Sequence, residues 1–292
     1  MQTFRVGDAT VTRIPELSLS EVTPSALLPG ADSEELAQAL ARQPADIVSG
    51  EGHIAINVHS WLVRDNGRTI LVDTGAGNGK DRPNSRMFDQ LNTDYLDRLR
   101  DAGVAPDDVD FVLLTHLHVD HVGWNTRLVD GRWTPMFANA RYVFVGAEHA
   151  YFTDPKNLSD ATRTSFQVQR DSVDPVIEAG QAEMIAADGS EAIEGFAFHA
   201  TPGHTPNHAS ISFRSGGAAA LFCGDVMHHV LQVVQPDWNS AYDADAASSR
   251  TARRWALHHA AESGATLFTS HFPKSAAGKV AKTADGFSFA FL

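Results

Sequence analysis

An apolar run, Phe111-Val112-Leu113-Leu114, passes directly into Thr115-His116-Leu117-His118-Val119-Asp120-His121, and this junction narrows what the chain can be. Four consecutive apolar residues read as a buried strand, so the histidines sit where a strand runs out into a loop. Side chains alternate along extended backbone, which points His116 and His118 the same way. Asp120 and His121 fall where the chain turns at Gly123 and can face a second ion. Three imidazoles and a carboxylate at this density are costly unless a cation neutralises and orders them. Nitrogen and oxygen donors suit Zn²⁺ or a similar first-row metal. A surface loop that happens to be histidine-rich is the bland alternative, and a mechanism-bearing motif of this length argues against it.

The pattern His-x-His-x-Asp-His after an apolar strand resembles the signature of the metallo-β-lactamase fold superfamily. Four further pieces match it in the expected order: Leu71-Val72-Asp73-Thr74-Gly75, Thr201-Pro202-Gly203-His204-Thr205, Phe222-Cys223-Gly224-Asp225 and Thr269-Ser270-His271-Phe272. One departure is visible, since many relatives carry two glycines after the last histidine of the motif and here Gly123 is followed by Trp124. The resemblance implies an α/β fold, a four-layer αββα sandwich of two mixed β-sheets flanked by helices. It implies His116, His118 and His204 as ligands of one ion, Asp120, His121 and His271 as ligands of the other, and Asp225 as the bridge. Seven ligands exceed what a lone catalytic Zn²⁺ takes. Two Zn²⁺ are therefore expected, with Mn²⁺, Co²⁺ or Fe²⁺ as substitutes, sharing a hydroxide that attacks the substrate. Asp120 and Asp225 are the carboxylates placed at the chemistry, and Asp73 is expected to hydrogen-bond a ligand imidazole and fix its tautomer. An Asp-Thr-Gly turn at a strand end is the structural alternative for Asp73.

A chain of 292 residues suffices for one large α/β domain, and motifs running nearly end to end favour a single domain over 1–292. The formal charge of −13 supplies no basic field for phosphates, so nucleic acid is not an expected partner. The single cysteine, Cys223, precludes an intrachain disulfide and reads as a small buried hydrophobe. Met1-Gln2-Thr3-Phe4-Arg5-Val6 has no apolar core of a leader, and no stretch approaches the roughly 20 apolar residues of a membrane span. A membrane is not expected as a partner. The cytoplasm is the default compartment, with the periplasm left open should a leader have been trimmed, and the oligomeric state is not legible.

Local signals set out the elements. Alternation from Phe4 to Ile14 predicts a first strand, and Asp32 with Glu35 predicts a capping box opening a helix through Arg42. Ile54 to Arg64 and Arg68 to Val72 read as strands joined through Asp65-Asn66-Gly67, because Asn-Gly accepts positive φ. Thr93 is the expected cap of a helix through Arg100, stopped at Gly103. Arg141 to Val145, Phe196 to Ala200, Ser210 to Phe213, Ala219 to Cys223 and Thr266 to Thr269 read as strands. Phe166 to Glu178 and Ser248 to Ser263 read as helices, the second ended by Gly264. The stretch between His121 and His204 is where a substrate-shaping excursion fits.

Substrate-wall candidates are Trp124, Phe137, Phe166 and Trp238, because binding pockets are mainly apolar. Each has core packing as its ordinary alternative. His228 and His229 follow Asp225 closely and one is expected to face substrate; His199, His208, His258 and His259 read as packing or solvated histidines. Asp225 separates this chain from β-lactam-cleaving relatives, which generally carry Cys or Ser there, and the run from Gly224 to Pro236 resembles the lactonase and methyl-parathion-hydrolase-like branch. The expected function is a dinuclear zinc hydrolase opening a lactone or related ester, such as an N-acyl-homoserine lactone. Alternatives are a phosphotriesterase or aryl esterase on the same site, a mononuclear iron persulfide dioxygenase, and a catalytically dead binding module. The expected partner is a small-molecule ester or lactone.

Overall fold

The computed structural model describes residues 1–43, 47–48 and 52–292. The chain divides into two compact units, one of Met1–Leu17 with Val58–Ala187 and one of Ser18–Asn57 with Asp188–Leu292.

The first unit carries a mixed sheet built from β1 (Thr3–Val6), β2 (Ala9–Val22), β3 (Ile54–Asp65), β4 (Arg68–Val72) and β5 (Phe111–Leu113). A separate hairpin, β6 (Thr126–Val129) with β7 (Arg132–Pro135), follows, and β8 (Arg141–Val145) and β9 (Ala182–Ile185) complete the sheet in the order β1-β2-β3-β4-β5-β8-β9. The ends of β2 and β3, residues 18–22 and 54–57, belong to the second unit. The single strand expected over Phe4 to Ile14 is instead a hairpin, Thr3 facing Thr12, because Gly7 takes a φ of 59° and turns the chain back. The Asn66-Gly67 turn is present, with φ of 50° and 78°, and Asp65 pairs in register with Arg68. Strands β4, β5, β8 and β9 run parallel. Their apolar runs are buried on both faces, as parallel strands require: Ile70, Leu71, Val112, Leu113, Tyr142 and Val143 are all enclosed.

The helix expected after Thr93 runs Tyr95–Asp101 and starts from Asp94, while the Thr93 hydroxyl turns to Asn78 Oδ1 at 3.2 Å. Tyr95 and Leu99 bury into the unit's core. Helices Gly146–Thr153, Arg163–Val168 and Asp174–Glu178 follow β8. The helix read over Phe166 to Glu178 is interrupted by a π-turn, Gln169–Val173.

In the second unit β10 (Asp188–Ile193), β11 (Phe196–Ala200), β12 (Ala209–Ser215), β13 (Ala218–Phe222), β14 (Thr266–Phe268), β15 (Ala277–Thr283) and β16 (Gly286–Phe291) form a mixed sheet in chain order. Only β13 and β14 pair in parallel. The C-terminal hairpin β15–β16 turns through Ala284 and Asp285, with Thr283 paired to Gly286. Helix Ala246–Ser263 packs on β13 and β15, capped by Asp245 accepting from Ala247 N at 3.0 Å and ended by Gly264 at a φ of 65°. Helix Ser33–Ala41 starts at Asp32, whose Oδ1 accepts from Glu34 N and Glu35 N as an N-cap. Helices Pro24–Leu27 and Leu231–Val234 complete the unit, and Leu27, Leu36, Leu231 and Trp238 share one small core.

Candidate metal centre

Each unit carries donor side chains at the carboxyl ends of its own neighbouring parallel strands, the place where open α/β sheets bind ligands. In the first unit Val72 and Leu113 are Cα partners, so Asp73 and Thr115 leave β4 and β5 side by side. Asp73 holds a φ of 55°, a conformation Asp tolerates better than most residues. Its Oδ1 accepts the Thr115 amide at 2.9 Å and its Oδ2 the Thr115 hydroxyl at 2.9 Å. His121 Nδ1 lies 2.9 Å from Asp73 Oδ2. An ionised carboxylate only accepts, so this nitrogen carries the proton and Nε2 is in the ligand form. The Thr115 hydroxyl has one proton and directs it at Asp73. It therefore accepts from His116 Nδ1 at 3.1 Å, which gives His116 the same tautomer. The His116 ring lies 4.0 Å from that of His121 and 4.7 Å from that of His118, and Asp120 Oδ1 is 3.8 Å from His121 Nε2. Asp73 thus orients two imidazoles, one directly and one through a hydroxyl.

The second unit repeats the logic. Phe222 and Phe268 are partners on β13 and β14, and Asp225 and His271 follow them. His271 Nδ1 donates to the Asn57 carbonyl at 2.7 Å, and its Nε2 is 2.9 Å from Asp225 Oδ2. Asn57 also donates its side chain to the Phe272 carbonyl at 2.6 Å, so it clasps the segment on both sides. His204 Nε2 approaches the same Asp225 oxygen at 3.3 Å and His228 Nε2 at 3.4 Å. Asp225, His228 and His271 each bring a donor atom within 4.8 Å of the others, and so do His204, His228 and Asp243. His204 turns Nε2 to Asp225 and Nδ1 to Asp243, 3.9 Å away. Asp243 stands behind His204, held by Arg253 at 3.1 Å and by the Ser240 amide at 2.9 Å. A buried carboxylate approached by three imidazole nitrogens, one of the rings donating its far nitrogen to a backbone carbonyl, fits a divalent cation with nitrogen and oxygen preference.

A family model described as the metallo-beta-lactamase superfamily matches residues 54–271. The chain belongs to this superfamily. It is similar to the N-acyl homoserine lactonase AiiB of Agrobacterium fabrum (strain C58), at 38% identity over 80 residues covering 24% of this chain and 29% of that protein. It is similar to the probable metallo-hydrolase YybB of Bacillus subtilis (strain 168), at 25% identity over 156 residues covering 53% of this chain and 56% of that protein. The chain thus spans well under two thirds of these curated relatives. Among solved structures, the hydrolase AbOPH of the beta lactamase superfamily matches with a TM-score of 0.84 at 23% identity, over 99% of this chain and 96% of that one. AidC, a dizinc quorum-quenching lactonase in complex with an N-hexanoyl-L-homoserine product, matches with a TM-score of 0.81 at 21% identity, over 100% and 98%. The two large mixed sheets flanked by helices are the metallo-β-lactamase fold.

Within this metallo-β-lactamase chain the aromatic candidates pack inward. Phe137 is fully enclosed in the first unit's core, Phe166 packs against it half-buried, and Trp238 lies in the second unit's small core. Trp124, at the position of the departing glycine, stacks on Tyr95 at 5.2 Å and donates Nε1 to Glu16 Oε1 at 2.7 Å. Its other edge borders a groove of about 460 Å³ shared with Leu96, Pro106, Leu128 and Met136. Close approach explains the neighbouring glycine: a Cβ on Gly123 would meet Ala76 backbone at 1.9 Å. His229 is enclosed, and burial pushes its imidazole down to about 3, so it is a neutral packing group. His228 is the member of that pair that faces Asp225.

Several working residues escaped the motifs. His208, read as packing or solvated, accepts the Asp225 amide on Nε2 at 2.9 Å and donates Nδ1 to the Thr201 hydroxyl at 2.9 Å. Glu16 is a buried carboxylate whose acid is pushed up by burial although Ala76 and Gly77 amides and Trp124 donate to it; it ties the Asp73 turn to the segment after His121. Gln232 Oε1 accepts the His228 amide at 2.7 Å. His208 lies four residues after His204, the one local signal available; Glu16, Asn57 and Asp243 had none.

Proposed function

We propose that the chain is a metal-dependent hydrolase that opens a lactone or related ester, with an N-acyl-homoserine lactone as the leading candidate. The observation that carries this reading is the Asp225 carboxylate with His204 and His271 nitrogens on one oxygen, 3.3 and 2.9 Å away, in a chain of this superfamily. Two divalent ions are proposed as cofactor, on the ligand set of the motifs: His116, His118 and His204 for one, Asp120, His121 and His271 for the other, and Asp225 for both. The whole span 1–292 is read as the working domain.

Such ions supply a water that ionises near neutral pH and a Lewis acid for the oxygen under attack. The protein's part is orientation. Asp73, Thr115 and Asn57 hold the imidazoles in the ligand tautomer, and His208 fixes the Asp225 backbone. His228, stacked on His271 at 5.3 Å with an interplanar angle of 6°, is assigned to substrate contact. Similarity to AiiB and AidC, which are lactonases by name, supports the substrate class.

The test is a panel of lactones, aryl esters and phosphotriesters on purified protein, with metal content by elemental analysis and oxygen uptake recorded. Lactone opening with about two zinc-like ions per chain is expected. Selective turnover of aryl esters or phosphotriesters would move the substrate class, and one iron per chain with oxygen consumption would sink hydrolysis.

A further inference from the structure

The helices between β8 and β9 stand in the stretch expected to shape substrate, yet their contacts lead to the histidine loop. Gln169, 1% exposed, opens the π-turn and donates Nε2 to the Leu117 carbonyl at 3.3 Å, between His116 and His118. It shares that amide with the Ser165 carbonyl one turn earlier at 3.0 Å. Phe152, on helix Gly146–Thr153, lies 5.6 Å from the His118 ring. At the far end of the loop the Thr126 hydroxyl donates to the Asp171 carbonyl. That carbonyl is available because Pro175, four residues on, has no N–H to give it. Lys80 Nζ takes the same carbonyl at 3.3 Å, and Arg82, fully buried, grips the Asp171 carboxylate in a two-pronged pair at 2.6 and 2.6 Å. A turn anchored this firmly contacts the loop at its middle and its end. π-turns inside helices are often found at functional sites, where they re-aim a side chain.

We propose that Gln169 is a positioning residue for the His116 and His118 donors, and that the Arg82–Asp171 pair with Lys80 and Thr126 holds its π-turn in register. The amide hydrogen bond fixes the Leu117 peptide plane, and with it the backbone that sets both flanking imidazoles. This rests on reading the two histidines as cation donors, while its first test needs no metal.

Gln169→Met keeps volume and helix propensity and removes the donor; Gln169→Glu sets a carboxylate against the Leu117 carbonyl. In metal-free protein, amide hydrogen exchange over 116–120 is expected to quicken by about tenfold in Gln169→Met and more in Gln169→Glu, with exchange in β13 and β14 unchanged. Zn²⁺ affinity, measured by competition with a chromogenic chelator, is expected to fall roughly tenfold or more. If Gln169→Met does not fold, Thr126→Val is expected to give the same localised signature. Unaltered loop exchange in a folded variant overturns the proposal, as does exchange that quickens equally throughout the chain with Zn²⁺ affinity intact. A wild-type protein that binds no Zn²⁺ overturns the donor reading instead and leaves the exchange result to decide the brace.

Discussion

Replacing Asp73 by Asn isolates the orientation of the histidines from every other property of the turn. Asn tolerates a φ of 55° as readily as Asp, and the side chains are isosteric, so the backbone has no reason to move. Asp73 presents two acceptor oxygens, one to the Thr115 amide and one shared by the Thr115 hydroxyl and His121 Nδ1. With the new amide oxygen kept on the Thr115 amide, its NH₂ faces His121 and the Thr115 hydroxyl. His121 must then accept on Nδ1 and carry its proton on Nε2, which is the tautomer that cannot ligate a cation. Flipping the amide restores His121 but sets NH₂ against the Thr115 N–H, leaving a buried donor unmet at about 1–3 kcal/mol. Either arrangement weakens cation binding, and loss of such an orienting group costs about 10–100-fold in affinity, roughly 1.4–2.8 kcal/mol. The assay is competition of Zn²⁺ between protein and chelator, beside elemental analysis and a far-ultraviolet dichroism check of the fold. An Asp73→Asn protein that is folded and holds Zn²⁺ with wild-type affinity would refute the reasoning.

Asp225→Ala should cut metal content and lactone turnover far more than Phe166→Ala, since it removes the carboxylate that His204, His228 and His271 surround; equal losses by elemental analysis and rate assay would deny Asp225 its special place. Burial, partly offset by Asp171, pushes the Lys80 ammonium down to about 7 from 10.5, so the unfolded chain keeps a proton the folded one gives up. Stability should therefore rise as pH climbs from about 7 toward about 10; urea titrations across that range should show the rise in wild type and its loss in Lys80→Met, and a pH-independent difference between them would contradict it. Gly203→Ala places a Cβ 2.2 Å from the Ser249 amide at a φ of 140°, which should cost roughly 2–5 kcal/mol by denaturant titration, whereas Gly131→Ala, with open space around it, should cost about 1 kcal/mol.

His116, Asp225 and His271 were legible because each stands three residues beyond the end of a short strand, and such spacing survives any arrangement of the strands. His116 and His271 need only β5 and β14 to form, and those follow from Val112-Leu113 and Leu267-Phe268 being apolar and buried. Turn chemistry was legible for the same local reason at Asn66-Gly67, Asp32 and Gly264. It failed at Gly7, where alternation on both sides of the glycine hid a hairpin, and at the π-turn, where the helical period continues through Gln169 without a mark.

Apart from Asp73, what holds the donors was decided by tertiary structure. Glu16 meets Ala76 across 60 positions, Gln169 meets Leu117 across 52, and Asn57 meets His271 across 214. Nothing in a window of eighteen residues distinguishes these three side chains from ordinary surface Glu, Gln and Asn. The physical reason is one of range: periodicity and capping act over a few residues and settle which segments are strands and where they end. A buried polar group, by contrast, takes whichever partner the order of strands in the sheet brings beside it, and that order exists only once the chain has folded.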